Sequence, residues 1–316
     1  MNITRIFFVA DLHGSDLCFR KSLSAVKIYK ANVLIIGGDL TGKAIVPIVE
    51  NPDGSYTASF LGMVYALKTR EELANLEKKI SSVGYYPYCT AQQEFEELSA
   101  NETKINELFL QLMSERVRSW IKMAEERSKA DGVKFFMLPG NDDVKSIDSI
   151  IDSSEYVINP EGKVLYIDNK YSMISTGYSN ITPWNCPRDI PESELAQKIE
   201  TMVSRVENLK DCIFCFHCPP HDTGIDMAPK LEDLKPVMSG GQLELVPVGS
   251  VAVRAAIEKY QPLLGLHGHI HESRGIYRLG HTLCVNPGSE YTEGVLRGVI
   301  VNLDEKGLRG YTFTSG

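Results

Sequence analysis

Five apolar segments in this chain each run directly into a short turn carrying aspartate, asparagine or histidine. Ile6–Ala10 leads into Asp11-Leu12-His13, and Val33–Ile36 leads into Gly37-Gly38-Asp39. Val133–Leu138 leads into Pro139-Gly140-Asn141-Asp142-Asp143, and Cys212–Phe216 into His217. Leu263–Leu266 delivers His267-Gly268-His269-Ile270-His271. Apolar runs of this length bounded by glycine and turn residues read as buried strands. The first two, with a capped helix between them (Ser15 or Asp16 at its start; Phe19, Leu23 and Val26 on its inner face), form a β-α-β step. Such a step implies parallel strands and a right-handed crossover. In such sheets ligands collect at the carboxyl ends of the strands, where Asp11, His13 and Asp39 all fall.

Between the second and third runs the pattern changes. Residues 44–131 read as a mostly helical insertion within a single domain spanning 1–316. Thr69-x-x-Glu72 is a capping-box pattern before a helix with Leu73, Leu76 and Ile80 on one face, ending near Gly84. Tyr85-Tyr86-Pro87-Tyr88 reads as an aromatic loop, and Ser99-x-x-Glu102 as a second capping box. A long amphipathic helix follows, marked by Ile105, Leu108, Phe109, Leu112, Val117, Trp120, Ile121 and Ala124. Core packing accounts for these aromatic residues; a lid or specificity element is the alternative. In the second half, 222–249 reads as a long irregular loop and Ser250 as the cap of a helix over 251–260.

Composition narrows the partners. A formal charge of −8 over 316 residues argues against long nucleic acids and membrane surfaces, which call for a basic face. No apolar run approaches the roughly 18 residues of a membrane span. No charged leader with an apolar core precedes the first strand, so the expectation is a cytoplasmic protein. Seven cysteines do not suggest a disulfide framework. Cys215-x-x-Cys218 has no second pair to complete a zinc site and reads as small core residues.

All the strand-end candidates are oxygen or nitrogen ligands: Asp11, His13, Asp39, Asn141, His217, His269 and His271, with His267 not excluded by spacing. That is too many for one tetrahedral zinc. It fits two divalent ions sharing a carboxylate, about 3.5–4 Å apart. Mixed nitrogen and oxygen ligation suits manganese, iron, zinc, cobalt or nickel.

The ordered motifs D-x-H, G-D, G-N, H and G-H-x-H, followed by Asn286-Pro287-Gly288-Ser289, resemble those of the calcineurin-like metallophosphoesterase superfamily. The resemblance covers Asp11 to His271. It implies an α/β fold of two mixed β-sheets packed as a sandwich and flanked by helices. It further implies that Asp11, His13, Asp39 and His271 bind one metal. Asp39, Asn141, His217 and His269 would bind the second, with Asp39 bridging and His267 outside the set. The implied chemistry is phosphoester hydrolysis by metal-activated hydroxide acting on a small phosphorylated substrate. A cyclic-nucleotide phosphodiesterase and a non-catalytic binding module on the same fold are the alternatives, and a homo-oligomer is left open. The short segment Val248–Val251, ahead of a helix, also resembles a nucleotide-binding subgroup, although an ordinary serine cap explains it equally well.

One position departs from the family pattern. The superfamily's Gly-Asn-His reads Gly140-Asn141-Asp142 here. The missing histidine is the usual candidate to protonate the leaving group. Asp142 can replace it only if burial or a neighbouring carboxylate such as Asp143 raises its pKa well above about 3.9. His221, four residues after His217, is the other candidate acid. The expected consequence is slow turnover, or restriction to good leaving groups.

Overall fold

The computed structural model describes residues 3–316. The first half contributes β1 (Thr4–Val9), α1 (Asp16–Tyr29), β2 (Val33–Gly37), β3 (Ile45–Glu50), β4 (Tyr56–Phe60), β5 (Met63–Leu67), α2 (Arg70–Ser82), β6 (Tyr86–Ala91), α3 (Gln92–Ser99), α4 (Glu102–Asp131) and β7 (Lys134–Leu138). Next come α5 (Ser146–Asp152), β8 (Val157–Ile158), β9 (Val164–Tyr166), β10 (Ser172–Thr176), α6 (Glu192–Val203) and β11 (Cys212–Phe216). Six short strands follow: β12 (Met227–Pro229), β13 (Leu231–Glu232), β14 (Lys235–Pro236), β15 (Met238–Ser239), β16 (Gln242–Leu243) and β17 (Leu245–Pro247). The chain closes with α7 (Val251–Tyr260), β18 (Leu264–Leu266), β19 (Gly275–Leu279), β20 (Thr282–Asn286), β21 (Arg297–Asp304) and β22 (Gly307–Ser315).

Two six-stranded mixed sheets carry the architecture, in the orders β22-β21-β1-β2-β7-β8 and β19-β20-β18-β11-β10-β9. In the first, β1, β2, β7 and β8 run parallel, β21 pairs antiparallel with β1, and β22 pairs antiparallel with β21. In the second, β10, β11, β18 and β20 run parallel, with β9 and β19 antiparallel at the edges. The sheets pack face to face, as the family resemblance implies. Ile6, Phe8, Ile35 and Phe136 of the first meet Met173, Ile213, Leu264 and Val285 of the second. Side-chain alternation sends Phe7, Val9, Leu34 and Ile36 to the opposite face, against α1 and α4. Phe214 and Phe216 likewise face α6 and α7. Strands covered on both faces have no polar alternation, which is why they appear as unbroken apolar runs.

The 44–131 segment departs from its sequence reading in three ways. It contains a four-stranded sheet, β5-β4-β3-β6, with its own core of Val46, Ile48, Tyr56, Phe60, Leu76 and Ile80. The tyrosine stretch read as a loop is largely strand β6, paired in parallel with β3. Ser99 closes α3 rather than capping α4: its hydroxyl donates to Phe95 O, and Asn101 caps α4 by accepting from Lys104 N at 3.1 Å. The Thr69/Glu72 capping box, in contrast, is formed in both directions. α4 is the crossover helix from β2 to β7. The 222–249 stretch is not irregular throughout, since three antiparallel pairings, β12/β17, β13/β14 and β15/β16, occupy much of it. Among the described residues no helix is long and apolar enough to cross a membrane.

Trp120 fixes α4 to α1. It is fully buried, stacks flat on Phe19 at 4.4 Å, and donates from its indole nitrogen to Asp16 at 3.0 Å. Trp120→Ala should cost about 3–5 kcal/mol, read by urea unfolding followed by circular dichroism. A loss below about 1 kcal/mol would show that α4 does not depend on this anchor.

Candidate metal centre

The cluster stands where the carboxyl ends of five strands meet: β1, β2 and β7 from one sheet, β11 and β18 from the other. β1 delivers Asp11 and His13, β2 Asp39, β7 Asn141 and Asp142, β11 His217, and β18 His269 and His271. The backbone turns sharply at each exit. Asp11 (φ 56°), His13 (φ 42°), Asp39 (φ 52°) and His269 (φ 69°) all lie in the left-handed region. Strained conformations of this kind cost on the order of 1–3 kcal/mol each and persist only where the surroundings over-determine them.

Crowding explains the glycines of two motifs. A Cβ on Gly38, whose φ is 120°, would lie 2.1 Å from Nδ1 of His217. One on Gly140 would lie 2.1 Å from Oδ1 of Asp39.

Three groups of side chains offer ligand atoms that lie within 4.8 Å of one another: Asp11/His13/His271, Asp39/His217/His269 and His13/Asp39/Asp142. Asp39 joins the latter two, with Oδ2 3.5 Å from Nε2 of His13 and Oδ1 3.4 Å from Nε2 of His217. His271 Nε2 is 3.5 Å from Asp11 Oδ1 and 3.0 Å from Nε2 of His13. Two imidazole lone pairs that close repel unless a proton or a cation lies between them.

Hydrogen bonds from behind set the orientations. His217 Nδ1 donates to Gly37 O at 2.8 Å, which turns a bare Nε2 towards the carboxylates. Asn141 donates its amide to Asp189 at 2.9 Å, leaving Oδ1 free. Asp11 accepts from the backbone of His269 at 3.0 Å, and Asp39 from that of Asp142 at 3.1 Å. His217 Nε2, Asn141 Oδ1 and His13 Nδ1 are buried without any hydrogen-bond partner. Buried polar atoms are ordinarily satisfied. A further orphaned histidine atom, His267 Nε2, lies beside Gly265, whereas His217 Nε2 faces Asp39 at 3.4 Å and His13 Nδ1 faces Asp142 at 3.7 Å; unpartnered atoms set against carboxylates in this way fit divalent-cation ligands.

The charge state points the same way. Burial would lower the pKa of His217, but Asp39 and Asp11 outweigh it and push it up to about 10. Asp39 is held well below the usual carboxylate range: burial, which would raise it, is outweighed by His217 and His13. Without a cation the site therefore carries an internal ion pair, and a cation would take the place of that proton. His13 and His269 are pushed down, chiefly by burial, to about 3 and about 4, and stay neutral.

The remaining histidines lie outside these groups. His267 is buried on its strand, with Nδ1 donating to Phe216 O at 2.8 Å. His221 has Nδ1 3.9 Å from Asp226, and its carbonyl accepts from Arg254. The helix N-terminus at Val248–Val251 is filled by the protein itself. Ser250 caps α7 by accepting from Val253 N at 3.1 Å, and the Glu192 carboxylate accepts from the backbone of Val251 and Ala252. The cysteines of the 215/218 pair are free and buried.

Several further residues support the candidate ligands. Asp143, adjacent to Asp142, faces the scaffold: its carboxylate accepts from Leu40 N, Thr41 N, Thr41 Oγ1 and Gly140 N. Asn286 donates to Ile270 O at 2.9 Å, and Ser289 to Asp11 O at 2.7 Å, tying the Asn-Pro-Gly-Ser turn to two ligand loops. Tyr291 lays its ring 4.8 Å from that of His13. Lys43 Nζ reaches to 3.4 Å from Asp142 Oδ2. No short motif marks Asp189, Tyr291 or Lys43.

No protein-family model matches the chain. An uncharacterized protein of Methanocaldococcus jannaschii, MJ1162, is 32% identical over 160 residues, which cover 50% of this chain and 65% of that protein. The crystal structure of TT1561 of Thermus thermophilus is similar at a TM-score of 0.52 with 14% identity over 99% of both chains. Another crystal structure is similar at a TM-score of 0.55 with 15% identity, again over 99% of both chains. The fold of two mixed six-stranded sheets is shared with these two structures.

Asp189→Ala removes the acceptor that orients Asn141. Metal affinity should fall about 10–100-fold, measured by competition with a chromophoric chelator. Unchanged affinity would show that Asn141 is held, or used, otherwise.

Proposed function

We propose that the chain is a metal-dependent phosphoesterase hydrolysing a phosphomonoester or phosphodiester of a small molecule. The observation that carries this reading is the gathering of ligand atoms round Asp39: His13 Nε2 at 3.5 Å and His217 Nε2, which has no hydrogen-bond partner, at 3.4 Å. Asp11, His13, Asp39 and His271 would hold one divalent ion, and Asp39, Asn141, His217 and His269 the other. Two such ions supply Lewis acidity to the phosphoryl oxygens and bring the pKa of a water close to neutrality.

The protein's own contribution lies in orientation and proton placement. Asn141 adds an oxygen ligand without adding charge. Lys43, beside Asp142, offers a cation to an anionic phosphoryl group. Asp142 stands where the superfamily places a histidine, with Oδ2 3.7 Å from Nδ1 of His13. Burial and the nearby Asp39 carboxylate raise its pKa, which favours a carboxyl able to give a proton to a leaving alkoxide. His221, set against Asp226, has no comparable position. The occupied α7 N-terminus supports no nucleotide phosphate there, so the cyclic-nucleotide alternative gains nothing from that segment.

Hydrolysis of p-nitrophenyl phosphate and its bis ester by the manganese-loaded protein tests the reading. Silence on both, with metal shown to be bound, would favour a binding role. Asp142→Asn should lower kcat on an alkyl ester by about 10²-fold or more and cost far less with the good p-nitrophenolate leaving group. Equal losses on the two would sink the assignment of Asp142 as acid. Asp142→His should restore or raise turnover of the alkyl ester.

A further inference from the structure

The insertion encloses an apolar cavity of about 450 Å³ next to the metal centre. Its wall is built from three elements. β3 alternates, sending Val46 and Ile48 into the core of the insertion and leaving Ile45 and Pro47 facing the cavity. α3 contributes Phe95 and Leu98, and the first turns of α4 contribute Ile105 and Phe109. No residue of α3 is fully buried, and Phe95 and Leu98 stay half-exposed where they line the cavity.

Lys43 joins the cavity to the site. It lines the cavity, lies four residues after Asp39, and its Nζ is 3.4 Å from the Asp142 carboxylate. The adjoining loop is rigid at this point, because Gly42 N donates to the Tyr86 hydroxyl at 2.8 Å and the Tyr86 ring meets Phe109 edge-on at 5.6 Å. One lysine thus separates a cluster suited to a phosphoryl group from a space suited to hydrocarbon.

We propose that this cavity receives an apolar substituent of the phosphoester, with Lys43 pairing the phosphoryl charge at its mouth. The substrate class is accordingly an amphiphilic phosphate ester: one anionic head and an alkyl or aryl group of several carbons. Three observations favour this occupant. Lys43 both lines the cavity and reaches to 3.4 Å from the Asp142 carboxylate. The other lining residues carry no charge. The cavity's volume lies within the roughly 300–1,000 Å³ of ordinary ligand pockets. The inference rests on the phosphoesterase reading above for its catalytic arm only.

The test compares 4-nitrophenyl methyl phosphate with 4-nitrophenyl octyl phosphate, using the manganese-loaded full chain. Hydrolysis of either adds water across one P–O bond and releases 4-nitrophenolate and the alkyl phosphate, so the leaving group is constant and only the tail varies. The octyl diester should show kcat/KM at least about tenfold higher, since each buried methylene is worth up to about fourfold. Leu98→Glu, which places a carboxylate in the cavity, should bring that ratio close to one.

Calorimetric titration with methylphosphonate and octylphosphonate, which cannot be hydrolysed, supplies a second readout. The octyl compound should bind at least about tenfold more tightly to the native protein, and Leu98→Glu should abolish the difference. Tail preferences within twofold in both assays, or a preference that Leu98→Glu leaves intact, would overturn the inference while leaving the phosphoesterase reading standing. If neither diester is hydrolysed, the phosphodiester half of that reading fails and the phosphonate titration alone decides the role of the cavity.

Discussion

Two carboxylates, Asp11 and Asp39, are buried where the ends of two sheets converge. Most of the local structure follows from making that tolerable. An unpaired ionised carboxylate in apolar surroundings is prohibitively costly. Here each accepts a backbone amide and faces imidazoles, and the Asp39–His217 pair compensates when no cation is present. The packing needed to bring five strand ends this close leaves no room for a Cβ at Gly38 or Gly140. It also forces ligand-bearing residues into left-handed backbone. Strain, glycine and buried charge are three aspects of one constraint.

A second layer of hydrogen bonds makes the arrangement rigid. The adjacent aspartates 142 and 143 have divided roles. Asp142 turns to the cluster and to Lys43, while Asp143 bonds four donors and clamps the β2 loop to the β7 loop. Behind them, the fully buried Arg188 donates to Asp143 O and Val144 O and pairs with Asp148 at 2.6 Å. Asp189 on the same loop holds Asn141. Loops tied together in this way have the positions of their candidate ligands set by the protein's own hydrogen bonds.

Much of the core was legible because apolar runs and their terminating turns are local in sequence. Covering both faces of a strand removes polar alternation, so Ile6–Ala10 and Cys212–Phe216 could be read without any tertiary information. The capping box at Thr69 and Glu72 was equally plain, since both partners lie within one turn. The insertion sheet was missed because β4 and β5 are short, partly exposed and polar in places, and because Tyr86–Ala91 carries a proline. The capping role of Asn101 was missed because Ser99 offered the same chemistry two residues earlier, where α3 had yet to end. The short ribbons between Met227 and Pro247 carry too little burial to impress a pattern.

The sequence by itself determined which residue types stand at which strand ends, and hence that oxygen and nitrogen ligands for divalent ions are available in order along a parallel α/β framework. Those features are set by neighbours in the chain. Only the tertiary structure decided which ligands face one another, that Asn141 is turned by Asp189 and His217 by Gly37, and that His267 and His221 stand apart. It alone placed Lys43 between the cluster and an apolar cavity. Each of these depends on contacts between segments tens to hundreds of residues apart, where the packing of two sheets rather than local propensity sets the distance.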